Sequence, residues 1–319
     1  MRRSPARRPA ASAATNPGGA CTAPGATTPP ITTPSHTGNP AVTPAGHPTA
    51  TLQGRVSKAA RRPLRSLPAA GDRSSPPHVR SLRLRLADGA WTTLHVASYD
   101  GARTEVRVVR FARPTPLEAW CTANAADDAV VGGFFVRATG VPLGELWTSG
   151  IARATAPFEA PWHARRACVH ATRDAVTIAR RPELPAHPCG DLLQAGPLLV
   201  RGGAPCATDD AEGFSAGAGQ FDSDITAGRY PRAALGLGPR GRLLAVAADG
   251  RGDDDAGLTL EELAEALVAL GAIHALNLDG GGSTSLVCAG RLRNRPREAH
   301  GIEIDGGRPV TTALLFRPR

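Results

Sequence analysis

The sequence has little lysine, few aromatic residues and no long apolar run. Lys58 is the single lysine among 37 basic residues, and Phe, Trp and Tyr together make up 4% of the 319 residues. Arginine combined with abundant alanine, glycine and proline indicates the codon bias of a GC-rich bacterial genome. Because no stretch of ~18 consecutive apolar residues is present, we predict no membrane-spanning helix.

Large apolar and acidic side chains are scarce in the first quarter of the chain. Residues 1–76 are rich in Pro, Ala, Thr, Ser and Gly, and Asp72 is the first acidic residue. Such a segment cannot bury enough apolar surface to offset the entropy that it would lose on ordering. We therefore predict a disordered basic tail over 1–76 and one large domain over 77–319, which is long enough to enclose a core.

The excess of positive charge belongs to the predicted tail. The formal net charge is +9, and nine basic residues precede Asp72, so the rest of the chain is formally neutral. A nucleic-acid-binding domain carries its basic excess on its folded surface. We therefore expect no specific nucleic-acid partner, and a basic arm that contacts an acidic polymer is the alternative.

The six cysteines form no Cys-x-x-Cys pair and stand at no His spacing typical of a zinc site. A disulfide among Cys168, Cys189 and Cys206 is expected only if the protein is exported. The N-terminus has arginines but no apolar core of a signal peptide, so we expect a cytoplasmic protein, or an exported one if the start codon is misassigned. The sequence leaves the oligomeric state open.

Alternating and helical patterns together predict an α+β fold with mixed, β-rich sheets and a few packed helices. Leucines alternate with arginines over 82–86, as in a strand. The clearest helix is predicted over Thr259–Leu270, and it begins with a capping box. It lies between predicted strands at 243–247 and 272–278, which we expect to be parallel or close neighbours.

The turn after the second of these strands carries the strongest indication of a functional site. The strand runs into a carboxylate, three glycines and three hydroxyls, and Asn277 and Asp279 share one of its faces. Consecutive glycines can form an anion-binding nest of amides, so the turn suits a sugar or phosphate ligand, with a plain Asp-capped turn as the alternative. The candidate substrate-binding residues here are Asn277, Gly280, Gly281, Gly282, Ser283 and Thr284.

Three other motifs are candidates for the same site. Asp249 ends the preceding strand, and two carboxylates at neighbouring strand ends can cleave a glycoside, although an ordinary Asp-Gly turn is the alternative. Arg232, and less strongly Arg229, lie in a loop where guanidinium groups can hold a phosphodiester. Two glycines, Gly132 and Gly133, interrupt a predicted strand, either for the approach of a ligand or as a β-bulge.

In their order along the chain, these motifs resemble those of the phosphodiester glycosidase family. The resemblance spans about 131–316, most of the predicted domain. Val131 stands where the family usually has Asn, and Tyr230 stands where one member has His. The motifs that carry it are Asn277-Leu-Asp279-Gly-Gly-Gly-Ser283-Thr284, Ala-Asp249-Gly before a leucine-rich helix, Gly132-Gly133-Phe-Phe, Ala195-Gly-Pro-Leu, Pro231-Arg232, and Asn294 before Pro296.

The resemblance implies a hydrolase that cleaves the C1–oxygen bond of a sugar-1-phosphodiester in a glycan or cell-wall substrate. We predict Asp279, Asp249 and Arg232 as catalytic residues, with Asn294 among the sugar ligands and the glycine amides on the phosphate. A phosphodiesterase that cuts the P–O bond is one alternative, and a non-catalytic glycan- or teichoic-acid-binding module, favoured by Val131, is another. We expect no cofactor, with Ca²⁺ or Mg²⁺ left open.

Overall fold

A computed structural model describes residues 77–207, 210–214, 226 and 228–319 of the chain. The predicted tail over 1–76 lies outside these residues. The described part is rich in β-structure, with two α-helices, α1 over Leu117–Ala123 and α2 over Leu260–Ala269. Its strands, in chain order, are β1 His78–Arg85, β2 Trp91–Tyr99, β3 Thr104–Thr115, β4 Ala129–Val131, β5 Phe135–Val136, β6 Val141–Pro142, β7 Leu146–Thr148, β8 Ile151–Ala152, β9 Ala167–Ala171, β10 Val176–Arg180, β11 Asp191–Gln194, β12 Leu198–Arg201, β13 Ala204–Pro205, β14 Arg232–Leu237, β15 Leu243–Ala248, β16 His274–Asn277, β17 Leu286–Cys288, β18 Arg291–Leu292 and β19 Val310–Pro318.

The strands form three principal sheets and a small hairpin of β5 and β6. The largest sheet has the order β1-β2-β15-β14-β16-β12-β13, and two five-stranded sheets have the orders β10-β9-β11-β7-β8 and β18-β17-β4-β19-β3. Every pairing of neighbouring strands is antiparallel. The β-rich class is therefore confirmed, whereas the sheets are antiparallel rather than mixed.

The strand–helix–strand unit predicted from the sequence is present, but its strands are not adjacent. The β14 strand pairs with β15 on one side and with β16 on the other. Both pairings are antiparallel, so β15 and β16 run in the same direction with one strand between them. Their C-terminal ends and the start of β14 meet at one edge of the sheet, where the candidate residues lie.

The two faces of the large sheet bury different partners. Leu263 and Leu267 of α2 pack against Val246 and Ala275 on one face. The opposite face, which includes Leu235, joins the main core with side chains from the two five-stranded sheets. The apolar stripe of α2 and the alternation of apolar residues along the strands thus determine which side chains at the strand ends point to which side.

The start of α2 agrees with the sequence. Thr259 accepts a hydrogen bond from the amide of Glu262, and the Glu262 carboxylate accepts one from the amide of Thr259, which is the predicted capping box. The glycine turn is followed by an antiparallel hairpin of β17 and β18.

Candidate active site

Asp279 is a buried carboxyl group at the turn that follows β16. Its amide donates to the carbonyl of Gly132 at 2.9 Å, and its Oδ1 accepts from the amide of Gly280 at 2.9 Å. Its Oδ2 is buried and has no hydrogen-bond partner among the described residues. Burial raises the pKa of Asp279 to about 6, although the Ser283 hydroxyl and the charge of Arg308 lower it. The Ser283 hydroxyl lies beside the Asp279 carboxyl group but makes no regular hydrogen bond to Oδ2.

Two of the three glycine amides in the predicted nest are engaged by the chain itself. The amide of Gly280 binds Asp279, and the amide of Gly281 donates to the carbonyl of Pro231 at 2.8 Å. The amides of Ser283 and Thr284 donate to carbonyls within the turn. These amides are therefore already engaged by the chain and do not point together at a ligand.

The glycines instead allow charged side chains to approach the turn closely. Gly281 has φ +59°, and a Cβ there would lie 3.3 Å from Nη1 of Arg251. A Cβ on Gly282 would lie 2.6 Å from Oε1 of Glu298 and 2.8 Å from Nη2 of Arg308. A side chain at position 282 would displace the ion pair of Glu298 and Arg308.

Two arginines, Arg308 and Arg251, lie against this turn. Arg308 donates from Nε and Nη2 to the two carboxylate oxygens of Glu298, and from Nη1 to the Ser283 hydroxyl at 3.4 Å. Arg251 donates to the carbonyl of Arg297 at 3.2 Å, and its guanidinium lies 5.2 Å from the ring centre of Tyr230.

The charges of this cluster act on one another. Burial lowers the pKa of Arg251, as do the positive charges of Arg308 and Arg137, whereas Glu298 and Tyr230 raise it. Arg137 also lowers the pKa of Asp279, so it belongs to the same electrostatic neighbourhood. Three guanidinium groups beside two carboxyl groups make the turn attractive to an anion.

Sequence analysis missed Glu298, Arg308 and Arg137 as site residues. Arg251 follows the predicted Asp249-Gly250 turn directly in the sequence. Glu298 and Arg308 lie in the segment between β18 and β19, which folds back over the glycines. No spacing rule links that segment to the glycine turn. Its one sequence signal is Arg308, an arginine that stands two residues before the last strand.

The two predicted phosphate-binding arginines engage other groups. Arg232 is buried at the start of β14 and donates to the carbonyls of Leu258 and Gly228. Its guanidinium also lies 5.3 Å from the ring centre of Tyr230, the ring that carries Arg251. Arg229 pairs with Glu262 at the start of α2 and with Asp88.

Asp249 is buried at the end of β15 and is separated from Asp279 by the width of β14. Two strand spacings are about 10 Å. Its Oδ2 binds Nε2 of His95 at 2.8 Å, and its Oδ1 accepts from the amide of Arg295 at 2.6 Å. Both oxygens of this carboxylate therefore have partners within the fold.

Some of the predicted sugar-binding side chains are engaged within the fold, and others keep a buried polar atom without a partner among the described residues. Asn277 donates to the carbonyls of Gly196 and Leu278, and its buried Oδ1 has no partner in the described part of the chain. Asn294 uses both side-chain atoms internally, since it donates to the carbonyl of Thr284 and accepts from the amide of Leu286. Oγ1 of Thr284 is buried and is also unpartnered within the described residues.

Gly132 and Gly133 permit a close approach between strands. A Cβ on Gly132 would lie 2.5 Å from Oγ1 of Thr312 on β19, and one on Gly133 would lie 3.0 Å from the carbonyl of Gln194. Since the carbonyl of Gly132 accepts the Asp279 amide, this approach also locates Asp279.

No group of three or more His, Cys, Asp or Glu side chains that could hold a metal ion occurs among the described residues. Within the same ranges, no helix is long and apolar enough to cross a membrane. The five cysteines that the structure describes, including the three considered for a disulfide, are all free thiols.

Three solved structures share the fold at low sequence identity. The zebrafish N-acetylglucosamine-1-phosphodiester alpha-N-acetylglucosaminidase catalytic domain, auto-inhibited by its pro-peptide, matches with a TM-score of 0.60 and 19% identity over 76% of this chain and 83% of that one. A hypothetical protein from Synechocystis matches with a TM-score of 0.55 and 18% identity over 76% of this chain and 62% of its own length. A putative exported protein from Burkholderia pseudomallei matches with a TM-score of 0.52 and 18% identity over 72% of this chain and 74% of that one.

These likenesses define a shared β-rich architecture. The sequence itself matches the model of the phosphodiester glycosidase family over residues 124–317, more than half of the chain. The chain belongs to the phosphodiester glycosidase family, a family of glycosyl hydrolases. No curated protein matches the sequence closely enough to count as a relative.

Proposed function

We propose that this protein hydrolyses the glycosidic C1–oxygen bond of a sugar-1-phosphodiester. The proposal rests on the glycine turn, where the buried Oδ2 of Asp279, which has no partner among the described residues, lies beside a cluster of guanidinium groups. Cleavage of this bond develops positive charge on the sugar ring and negative charge on the departing phosphate. A carboxyl group and a cationic cluster at one turn match those two needs.

The phosphate is held by Arg251 and Arg308, with Arg137 adding positive charge. Arg251 makes no second hydrogen bond to a described residue, so most of its five donors remain for an anion. Arg308 presents Nη1 toward Ser283, on the Asp279 side of its pair with Glu298. This assignment replaces Arg232 and Arg229, whose donors serve the fold.

Asp279 serves as the proton donor to the leaving phosphate oxygen. With a pKa of about 6, Asp279 holds its proton in mildly acidic solution and can be protonated again after each turnover. Asn277 at the end of β16, with Ser283 and Thr284 in the turn that follows, orients the sugar. Asn294 supports the turn through its hydrogen bond to the carbonyl of Thr284, and Asp249 holds the neighbouring segment at Arg295.

The test uses glycosyl 4-nitrophenyl phosphates of common hexoses and N-acetylhexosamines. Cleavage of C1–O releases free sugar and colourless 4-nitrophenyl phosphate, which turns yellow only after phosphatase is added. Hydrolysis in ¹⁸O-labelled water then places the label in the sugar. Yellow nitrophenol without phosphatase, with label in the phosphate, would instead identify a phosphodiesterase. Binding of the panel without any product would identify a glycan-binding module.

A further inference from the structure

We infer that Glu298 is the second catalytic carboxylate, which takes the proton from the water that attacks the sugar. The inference rests on the proposed function. In the step, the water oxygen bonds to C1 as the bond from C1 to the phosphate oxygen breaks. One water proton passes to Glu298, and the proton of Asp279 passes to the leaving oxygen, so that atoms and charge balance.

Glu298 lies at the same turn as Asp279. Its carboxylate lies against Gly282, where a Cβ would approach Oε1 to 2.6 Å. Glu298 is therefore packed on the third residue after Asp279, at the same turn. Asp249, the carboxylate that the sequence favoured, is instead held across the width of β14 by His95 and Arg295.

Glu298 and Asp279 share their charged neighbours. Arg308 grips both oxygens of Glu298 and donates to Ser283, whose hydroxyl lies beside Asp279. Arg137 acts on both carboxyl groups, and Arg251 acts on Glu298. Arg308 thus contacts Glu298 and lies near Asp279, so a phosphate bound to Arg308 would bring the C1–oxygen bond within reach of both carboxyl groups.

The pKa values of the two carboxyl groups are shifted in opposite directions. Partial burial raises the pKa of Glu298, but the hydrogen bonds and charge of Arg308, with Arg137 and Arg251, outweigh it, so the net pKa is lowered. The pKa of Asp279 is raised to about 6. A pair of carboxyl groups whose environments separate their pKa values divides into an acid and an ionised partner.

Glu298 also remains open to water. Its side chain is 30% exposed, in contrast to the buried carboxylate of Asp279. Each carboxylate oxygen accepts at about two lone-pair sites, so the pair with Arg308 leaves room for a water molecule on each. A general base needs this access to water.

The chain offers a closely matched control in Glu145. This residue also pairs with both donors of one arginine, Arg181, and its side chain is 31% exposed. Glu145→Gln removes the same charge from the same kind of pair. The comparison separates the loss of a partly exposed ion pair from the loss of a reacting group.

The experiment measures kcat and KM of Glu298→Gln, Glu298→Asp, Glu298→Ala and Glu145→Gln on a glycosyl 4-nitrophenyl phosphate that the wild type cleaves. We expect kcat to fall about 10²- to 10³-fold in the three Glu298 variants, whereas Glu145→Gln keeps wild-type kcat. In Glu298→Ala, sodium azide should restore turnover and form a glycosyl azide, because azide attacks C1 without needing a base.

The outcomes separate this inference from the function on which it rests. If the wild type cuts C1–O but Glu298→Gln retains wild-type kcat, or raises only KM, Glu298 merely positions Arg308 and the inference fails alone. Azide rescue of Asp279→Ala in place of Glu298→Ala would also overturn it. A wild type that cuts only P–O would remove the proposed function itself. Thermal unfolding of each variant checks that it is folded at the assay temperature. If Glu298→Gln or Glu298→Ala disturbs folding, Glu298→Asp tests the inference with the negative charge retained.

Discussion

The turns after β15 and β16 begin alike and end differently. Each follows an apolar strand with an Asp and a Gly, and both carboxyl groups are buried. Asp249 has partners on both oxygens, in His95 and the amide of Arg295. Asp279 leaves Oδ2 without a partner in the described structure.

This difference separates a supporting carboxylate from a candidate catalytic one. A buried polar atom without a hydrogen bond costs stability, so nearly all such atoms in folded proteins have a partner. An exception calls for an explanation such as a role in catalysis. Asp249 ties the segment at Arg295 to the sheet, and Asn294 in that segment holds the carbonyl of Thr284. The first turn thus holds the second one in place.

The substitution Asp279→Asn should give the largest effect and should change activity and stability in opposite directions. Loss of the proton donor is expected to lower kcat about 10²- to 10⁴-fold. The raised pKa means that the folded state binds a proton more tightly than the unfolded state, so Asp279 costs stability as the pH rises from its ordinary value of 3.8 to about 6. Above pH 6 this cost is on the order of 3 kcal/mol.

Urea unfolding at pH 4 and at pH 7 checks the second half of that prediction. Asn carries no charge, so Asp279→Asn should be more stable than the wild type at pH 7 and close to it at pH 4. A variant that is less stable at pH 7 would show that the Asp279 carboxylate is satisfied in the folded protein.

Asp249→Asn should have the opposite signature. It replaces two charge-assisted hydrogen bonds with weaker ones, so we expect a loss of about 1.5–3 kcal/mol in the free energy of unfolding. Activity of the folded fraction should fall much less than in Asp279→Asn. Denaturant unfolding and kcat, measured on one preparation, check both parts. An equal loss of kcat in the two variants would return Asp249 to the catalytic pair.

Substitutions of the arginines test which turn receives the phosphate. Arg251→Gln and Arg308→Gln each remove a charged donor worth about 1.5–3 kcal/mol, so KM should rise about 10- to 100-fold. Arg232→Gln, which removes donors to two backbone carbonyls, should lower the melting temperature with KM unchanged. Steady-state kinetics with thermal unfolding distinguishes the groups, and a rise in KM for Arg232→Gln alone would favour the earlier assignment.

The smallest effect is expected from Arg229→Gln. The pairs of Arg229 with Glu262 and Asp88 are partly exposed to solvent, where water and salt weaken ion pairs. We expect kcat and KM to remain at wild-type values, with a small drop in melting temperature that disappears at high salt. A change in KM would place this arginine near the substrate.

Local patterns predicted much of the fold. The capping box at Thr259 and helix α2 both follow from interactions between residues close in sequence. The insertion of β14 between β15 and β16 did not follow from them. Pairing partners of strands depend on contacts across the whole sheet, which spacing along the chain does not encode.

The candidate site shows the same division. Asp279 and its glycines were recognisable because a carboxylate, three glycines and three hydroxyls stand together in one stretch. The role of the glycines was predicted as an amide nest, yet Gly281 and Gly282 make room for Arg251, Glu298 and Arg308. Which side chain would fill that room depends on how the segment before β19 returns to the turn.

The sequence by itself therefore determined the β-rich class, the family and the position of Asp279, because short-range patterns and a contiguous motif carry them. Only the tertiary structure decided which charges surround Asp279. It satisfied Asp249 and left Oδ2 of Asp279 unpartnered among the described residues, and it brought Glu298 and Arg308 onto Gly282. The physical reason is that hydrogen-bond satisfaction and burial are properties of packed neighbours, which come together only when the sheets assemble.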